Sequence, residues 1–127
     1  MTMTEGTVRP DGLSVQDGSL TLAVHVPWYR SLPVSCLERL DVRLDGAPVA
    51  VRSVAVGGFA GSVHQAADSD EWWDLRDALE VSLEATAEAG ERRAVEVDVA
   101  VRIPYMQQAP GVPLVQRAAV RTEATVR

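Results

Sequence analysis

The chain of 127 residues contains no lysine, no asparagine and only one isoleucine, and each of its 12 basic residues is arginine. The missing residue types share A-rich codons, which indicates a GC-rich genome, so the arginine content is not evidence for phosphate or carboxylate recognition. Only one cysteine is present, which excludes an internal disulfide and any multi-cysteine metal site. We interpret Cys36, close to Val34 and Leu37, as a small buried apolar residue.

Long apolar segments are also absent. No run approaches the roughly 18 residues that a membrane-spanning helix needs. The N-terminus, MTMTEGTVRPDG, lacks the basic and then apolar pattern of a secretory signal. We therefore expect a cytoplasmic protein with no membrane partner. A chain of this length predicts a single domain that buries roughly two thirds of the surface exposed when it is unfolded.

A basic stripe is missing, and the formal net charge of −6 argues against a nucleic-acid partner. The acidic residues are unevenly distributed, because residues 68–91 hold nine acids and one base, which leaves a net charge of +2 on the rest of the chain. Such a run is usually a solvated edge. The functional alternative is an electrostatic patch for a basic partner surface.

The sequence also lacks a self-sufficient catalytic set. Neither His25 nor His64 has a companion at metal-ligand spacing. An acid–base pair of His64 and Asp68 stays open as an alternative interpretation. Residues 57–61 are glycine-rich without phosphate-loop spacing, and no GxSxG segment is present. We therefore expect no catalytic residue, metal or other cofactor on this chain.

What the sequence does contain is a series of segments that alternate apolar and polar residues, the period of a half-buried strand. They are Ser19–Val26, Arg39–Leu44, Val49–Val56, Ala78–Ala85, Val95–Ile103 and Val115–Val126. Asp45-Gly46 is a strong hairpin-turn signal. This pattern predicts an all-β fold, an antiparallel β-sandwich of about six or seven strands, of which the immunoglobulin fold is one form. We expect residues 1–17 to be a partly ordered tail and residues 18–127 to be the domain.

Two segments allow more than one interpretation. The apolar set of Val49–Val56 changes face at Arg52-Ser53, which predicts a bulge or two short strands. Residues 68–85 fit a helix or a strand, and the surrounding strands favour a loop or turn over 68–77 followed by a strand. Trp72 and Trp73 are adjacent, so we expect one to pack on the core and the other to be exposed or in an interface.

The most distinctive segment is the loop Pro27–Pro33. Its prolines fix φ and lack an N–H, so we expect a stiff segment outside the hydrogen-bonded ladders. Trp28, Tyr29 and Arg30 lie between them, and Tyr105 follows a proline in the same way at the end of a later strand. Aromatic residues and arginine at strand ends indicate a recognition surface, or caps on the open ends of the sandwich.

Three features of the sequence occur together: the segment PWYRSLP, the strand that ends in Asp45-Gly46, and Gly90 before a strand that ends in Ile103-Pro104-Tyr105. In these features the chain resembles the small β subunit of bacterial C-glycoside deglycosidases. The resemblance covers roughly residues 15–107. It implies a hetero-oligomer with an α subunit similar to sugar isomerase and epimerase barrels. That subunit would hold a divalent metal, Mn²⁺, and the acid–base residues.

The resemblance further implies a lyase that acts on C-glycosides, such as flavonoid C-glycosides, already oxidised at the sugar 3-position. The 3-keto group acidifies the C2 proton, and the resulting enolate expels the carbon-bound aglycone, with the metal stabilising the oxyanion. This chain would be the accessory subunit. The residues expected at the partner interface or active-site wall are Pro27, Trp28, Tyr29, Arg30, Leu32, Pro33 and Tyr105.

A stand-alone carbohydrate-binding β-sandwich is the alternative function. In that interpretation Trp28, Tyr29 and Tyr105 form a platform on which a sugar ring stacks. It predicts a stable monomer that binds sugar without another protein.

Overall fold

The computed structural model describes residues 6–127. Within this range the strands are β1 Leu13–Gln16, β2 Ser19–Val24, β3 Leu32–Pro33, β4 Leu37–Leu44, β5 Ala47–Val49, β6 Val51–Val56, β7 Phe59–Gly61, β8 Trp72–Trp73, β9 Leu79–Leu83, β10 Arg92–Ala109 and β11 Val112–Thr125. A 3₁₀ turn, Val34–Cys36, precedes β4, and a short helix, α1 Val63–Ala66, follows β7. No helix in residues 6–127 has the length and apolarity to span a bilayer.

The strands form two main antiparallel sheets around one core, which confirms the all-β class. One sheet has the order β1-β2-β9-β6-β7 and the other has the order β11-β10-β4-β5, while β3 and β8 pair separately. The alternating apolar side chains of the central strands are buried, because in a strand every second residue faces the same side. They include Leu20, Leu22 and Val24 of β2 and Val95, Val97, Val99, Val101 and Ile103 of β10.

The predicted strand Val49–Val56 is two strands in two different sheets. β5 pairs with β4, whereas β6 pairs with β9 and β7. The chain therefore crosses between the sheets at Ala50. The change of face at Arg52-Ser53 corresponds to a register shift between Val51 and Ser53 in the pairing of β6 with β9.

The first strand, β1, lies in the stretch 1–17 that we expected to be a partly ordered tail. Leu13 is fully buried, and β1 pairs with β2 across the turn Asp17-Gly18. Its four residues are too few to show a convincing period, which is why the pattern did not reveal it. Residues 1–5 lie outside the described residues, and the boundary of the domain at residue 18 stays a prediction.

The preference for a loop over residues 68–77 followed by a strand is confirmed. No residue between 68 and 85 is helical, and β9 occupies most of the predicted strand. The helix that does form begins at Ser62, whose hydroxyl accepts from the Gln65 N–H in a capping box. As expected, Trp73 is buried, with 1% of its surface exposed, whereas Trp72 is 58% exposed.

The prediction that the strand from Val95 ends at Ile103 and is followed by a loop is wrong in extent. β10 continues to Ala109 and pairs with β11 up to the turn at Pro110-Gly111. Pro104 does not end the strand, because the ladder passes from Ile103↔Leu114 directly to Gln107↔Pro113 and leaves residues 104–106 as a bulge. Proline is tolerated at a bulge, where no ladder hydrogen bond is lost. We call residues 104–113, which are all exposed, the hairpin tip.

Candidate functional site

Three segments meet at one end of the sandwich, which we call the aromatic end. They are the loop Pro27–Pro33 after β2, residues 71–78 before β9, and the hairpin tip. The sheet register brings them together, since Val24 at the end of β2 pairs with Leu79 at the start of β9. In the other sheet, Val101 of β10 pairs with Leu37, next to the 3₁₀ turn that follows the loop.

The loop is held in place by hydrogen bonds to residues 71–75. Leu32 and Pro33 pair with Trp73 and Trp72 as the two-residue ladder of β3 and β8. The Val34 N–H donates to the Glu71 carbonyl at 2.9 Å, and the Leu75 N–H donates to Ser31 Oγ at 2.7 Å. Residues 27–31 form no strand, as the two prolines predicted. The prediction is wrong for the end of the loop, because Leu32 and Pro33 lie in the β3–β8 ladder.

Trp28 joins the loop to the hairpin tip. Its indole Nε1–H donates to the Tyr105 hydroxyl at 2.7 Å, across 77 residues of sequence. The Trp28 and Tyr29 rings are 4.8 Å apart with 40° between their planes, and Arg30 Cζ lies 5.5 Å from the centroid of the Tyr29 ring. This distance permits a cation–π interaction. The structure therefore places Tyr105 beside the loop, and the roles of these residues stay predictions.

The predicted site residues divide into a buried group and an exposed group. Pro27, Trp28 and Leu32 are buried, and Trp28 is only 6% exposed. Tyr29 and Tyr105 are 53% and 54% exposed, and Arg30 is also exposed. The Trp28 ring packs against the core, which fits the alternative that the aromatic residues cap the open end of the sandwich. It therefore supports the loop from inside, and a sugar-stacking platform would have to do without it.

The aromatic end also collects the other exposed apolar side chains. Within residues 6–127 the large hydrophobic residues that are exposed are Tyr29, Trp72, Leu75, Tyr105, Met106, Val112 and Val115. All except Val115 lie in the three segments that meet there, and Val115 lies on β11 just beyond the hairpin tip. Contiguous exposed apolar surface is typical of an interaction site, whereas isolated residues are ordinary. Sequence reasoning missed Leu75 and Met106, for which no local pattern existed.

Acidic residues lie along one side of this surface. Residues 68–77 carry Asp68, Asp70, Glu71, Asp74 and Asp77, and their one base, Arg76, is paired with Asp74 at 3.1 Å. The hydrogen bonds from the Arg76 side chain and backbone lower the pKa of Asp74. The remaining acids of the run, from Glu80 to Glu91, lie on β9 and toward the opposite end of the sandwich. The aromatic end is therefore apolar at its centre with a mainly negative rim on that side.

Residues 6–127 contain no group of three or more His, Cys, Asp or Glu side chains that could hold a metal ion. Burial lowers the pKa of His25, and the nearby charge of Arg9 lowers it further, so the neutral imidazole is favoured. Cys36 is buried, and burial raises the pKa of its thiol, which disfavours the nucleophilic thiolate. The exposed apolar side chains at the aromatic end are suited to binding another surface.

No protein-family model matches the chain. It is 32% identical over 114 residues to a 3'-dehydrocarminate deglycosidase beta subunit of Microbacterium sp, an alignment that covers 87% of this chain and 85% of the relative. It is 30% identical over 105 residues to a C-glycoside deglycosidase beta subunit of Microbacterium trichothecenolyticum, with 80% and 76% covered. A C-glycoside deglycosidase beta subunit of Arthrobacter globiformis is 31% identical over 99 residues, with 74% and 75% covered.

Proposed function

The chain belongs to the family of C-glycoside deglycosidase beta subunits, and we propose that it is the accessory subunit of a hetero-oligomeric C-glycoside deglycosidase. One observation supports a partner at the aromatic end, namely the gathering there of nearly all the exposed large hydrophobic side chains. Leaving these rings in water forgoes the free energy that burial against another subunit provides. Aromatic residues and arginine are also the residues enriched at the centres of protein interfaces.

In the proposed complex the partner is an α subunit with the barrel fold of sugar isomerases and epimerases, in the cytoplasm. The complex would cleave the carbon–carbon glycosidic bond of a 3-oxo C-glycoside. A base on the partner removes the acidified C2 proton, and the enolate expels the aglycone. The aglycone carbon takes the electron pair of the broken bond and receives a proton from an acid on the partner. A divalent metal, Mn²⁺, would supply Lewis-acid stabilisation in the partner. The described residues of this chain offer no ligand group for it, so we assign no chemical step to them.

The contribution of this chain is to support the partner's active site. Trp28 and Leu32 fix the loop from inside, while Tyr29, Arg30 and Tyr105 contact the α subunit as part of its wall. Trp72 extends the contact on the other side of Pro33, with which it pairs. The negative rim favours a basic docking surface on the partner, because complementary charges accelerate and orient association.

The test is co-expression with barrel-type candidates for the α subunit from the same genome, followed by native mass spectrometry and an assay with a 3-oxo C-glycoside and Mn²⁺. Only the mixed complex should cleave the substrate. Tyr29→Ala and Arg30→Ala should each weaken the complex by about tenfold or more, without changing the melting temperature of the lone chain.

The matched control is Arg52→Ala, an exposed arginine at the opposite end of the sandwich, which should leave assembly and turnover unchanged. Normal assembly and turnover by both aromatic-end variants would contradict the assigned interface. Cleavage of the substrate by the lone chain would contradict the accessory role itself. Sugar binding by a monomer that forms no complex with any candidate partner would contradict it too.

A further inference from the structure

Strand β11 forms a long free edge on the side of the sandwich, separate from the aromatic end. In the four-stranded sheet it pairs with β10, and the described chain has no other backbone hydrogen bond to residues 112–125. Its pairing with β10 is regular from Arg92↔Thr125 to Ile103↔Leu114. A long, regular edge exposes a row of unpaired N–H and C=O groups that another strand can use.

The other sheet edges are short or covered. β5 and β7 have three residues each, and the backbone of Arg127 hydrogen-bonds to Leu13 and Val15 of β1. Proteins usually protect a long edge with charged side chains, lysine above all, or with proline or a bulge. Between residues 114 and 125 β11 has no lysine, proline or bulge. The charged side chains on its outer face are each paired with β10, so they protect the edge less than free charges would.

The charges on the outer face of β11 indicate what uses it. This face carries Arg117, Arg121 and Glu123, separated by Ala119. Arg117 contacts Asp98 at 2.8 Å, Arg121 contacts Glu96 at 3.7 Å and Glu123 contacts Arg92 at 3.8 Å, all on β10. Glu123 therefore lies at one end of the row and Arg117 at the other, so an antiparallel copy of the same strand would bring opposite charges together.

Two-fold symmetry restricts how two β11 strands can pair. Directly opposite residues in an antiparallel ladder alternate between hydrogen-bonded and non-hydrogen-bonded pairs. An isologous contact makes symmetry-related pairs equivalent. The two-fold axis therefore cannot lie between two neighbouring residue pairs, because one is hydrogen-bonded and the other is not. It must pass through a single pair, in which a residue faces the same residue of the second copy.

Among these registers, the charges favour the one centred on Val120. It places Arg117 opposite Glu123 of the second copy, and symmetry repeats this pair. Centres at Arg117, Ala119 or Arg121 place arginine opposite arginine, and a centre at Ala118 pairs no charges with each other. A centre at Thr122 pairs Arg121 with Glu123 but shortens the overlap and opposes Arg117 to Arg127.

We propose that β11 pairs antiparallel with β11 of a second copy, about a two-fold axis at Val120. The two four-stranded sheets then become one continuous eight-stranded sheet, paired over residues 115–125. Arg121 of each copy lies opposite Ala119 of the other, whose small side chain leaves a path toward Asp98. The Oδ1 atom of Asp98 is buried and has no hydrogen-bond partner within residues 6–127. This proposal does not depend on the proposed function.

Sedimentation velocity of the full chain from about 1 to 100 µM tests the pairing. The wild-type chain should be a dimer at the upper concentrations. Glu123→Arg and Arg117→Glu each place like charges opposite one another twice, and each should raise the dimer Kd by about tenfold. The double variant with both substitutions restores opposite charges and should restore the dimer.

Glu80→Arg is the matched control, because Glu80 is exposed on the central strand β9 of the other sheet, and it should leave the dimer Kd unchanged. Circular dichroism melts check that each variant is folded. A wild-type monomer at 100 µM would overturn the proposal. A dimer Kd that neither single substitution changes would overturn it as well. So would a double variant whose dimer Kd stays as high as that of the single variants.

Discussion

The two ends of the sandwich are closed in different ways. At the end opposite the aromatic end, which we call the turn end, β1–β2 and β4–β5 are joined by the two-residue turns Asp17-Gly18 and Asp45-Gly46. All four residues have positive φ, between 50° and 85°, as a type I′ turn requires. The aromatic end also has short turns, at Gly57-Gly58 and at Pro110-Gly111. It is closed mainly by longer segments that hold each other through contacts such as the hydrogen bond from Trp28 to Tyr105.

The difference shows what each end contributes. A tight Asp-Gly turn fixes strand register with two residues and leaves no apolar surface to cover. The aromatic end uses buried side chains to display exposed ones, as the neighbours Trp73 and Trp72 do. Along these short segments, residues that hold the end together therefore alternate with residues that are available for binding. Substitutions can test the two roles separately.

The largest expected effect is that of Trp73→Ala. The ring is almost fully buried, and its Nε1–H donates to the Asp77 carbonyl at 3.1 Å. Removing it should lower the free energy of unfolding by about 3–5 kcal/mol, measured by urea denaturation. Trp72→Ala should change it by less than about 0.5 kcal/mol and weaken only partner association. Equal stability losses for the two variants would contradict the division between buried and exposed aromatic residues.

An alanine at a glycine of each end gives a smaller effect. Gly46→Ala forces a side chain into φ +85° and should cost about 1–2 kcal/mol of unfolding free energy. At the aromatic end, a Cβ on Gly58 meets only the side-chain end of Glu71, which is exposed and can move. Gly58→Ala should therefore cost less than about 0.5 kcal/mol. If thermal melts rank the two variants in the opposite order, the turn end does not depend on its backbone conformation as described.

The smallest expected effect is a pH dependence from His25, which lies two residues before Pro27, the start of the loop. Its pKa is lowered in the folded state by burial and by Arg9, so the unfolded chain binds the proton more readily. This contribution to stability is complete above the unfolded pKa of about 6.5 and is lost as the pH falls below it. His25→Gln should therefore reduce the drop in melting temperature between pH 7.5 and pH 5.5. A variant that keeps the full wild-type drop in melting temperature would contradict the assignment.

Periodicity and turn chemistry were sufficient to predict the central strands and the turn at Asp45-Gly46, because both signals are local. The crossing at Ala50 was not predictable to the same detail, since the residues on each side of it alternate in the same way whether they lie in one sheet or in two. β1 and β3 were too short to show a period at all.

The candidate site was predictable to a similar degree. The loop Pro27–Pro33 is recognisable from its composition, and Tyr105 was associated with it by the similar Pro-aromatic context. The burial of Trp28 was not predictable, because it depends on how the core and the hairpin tip pack around the loop. The free edge of β11 follows from sheet order, which the alternation of one strand does not encode.

The hairpin tip has a consequence for how this protein can change. None of its residues is buried, and the bulge at residues 104–106 separates its pairing from the regular ladder that ends at Ile103 and Leu114. Substitutions between residues 107 and 112 therefore leave the core and the register of β10 untouched. Natural variation, or an engineer, can therefore exchange the tip while the rest of the sequence is kept. In the proposed complex, such an exchange alters which partner the chain recognises.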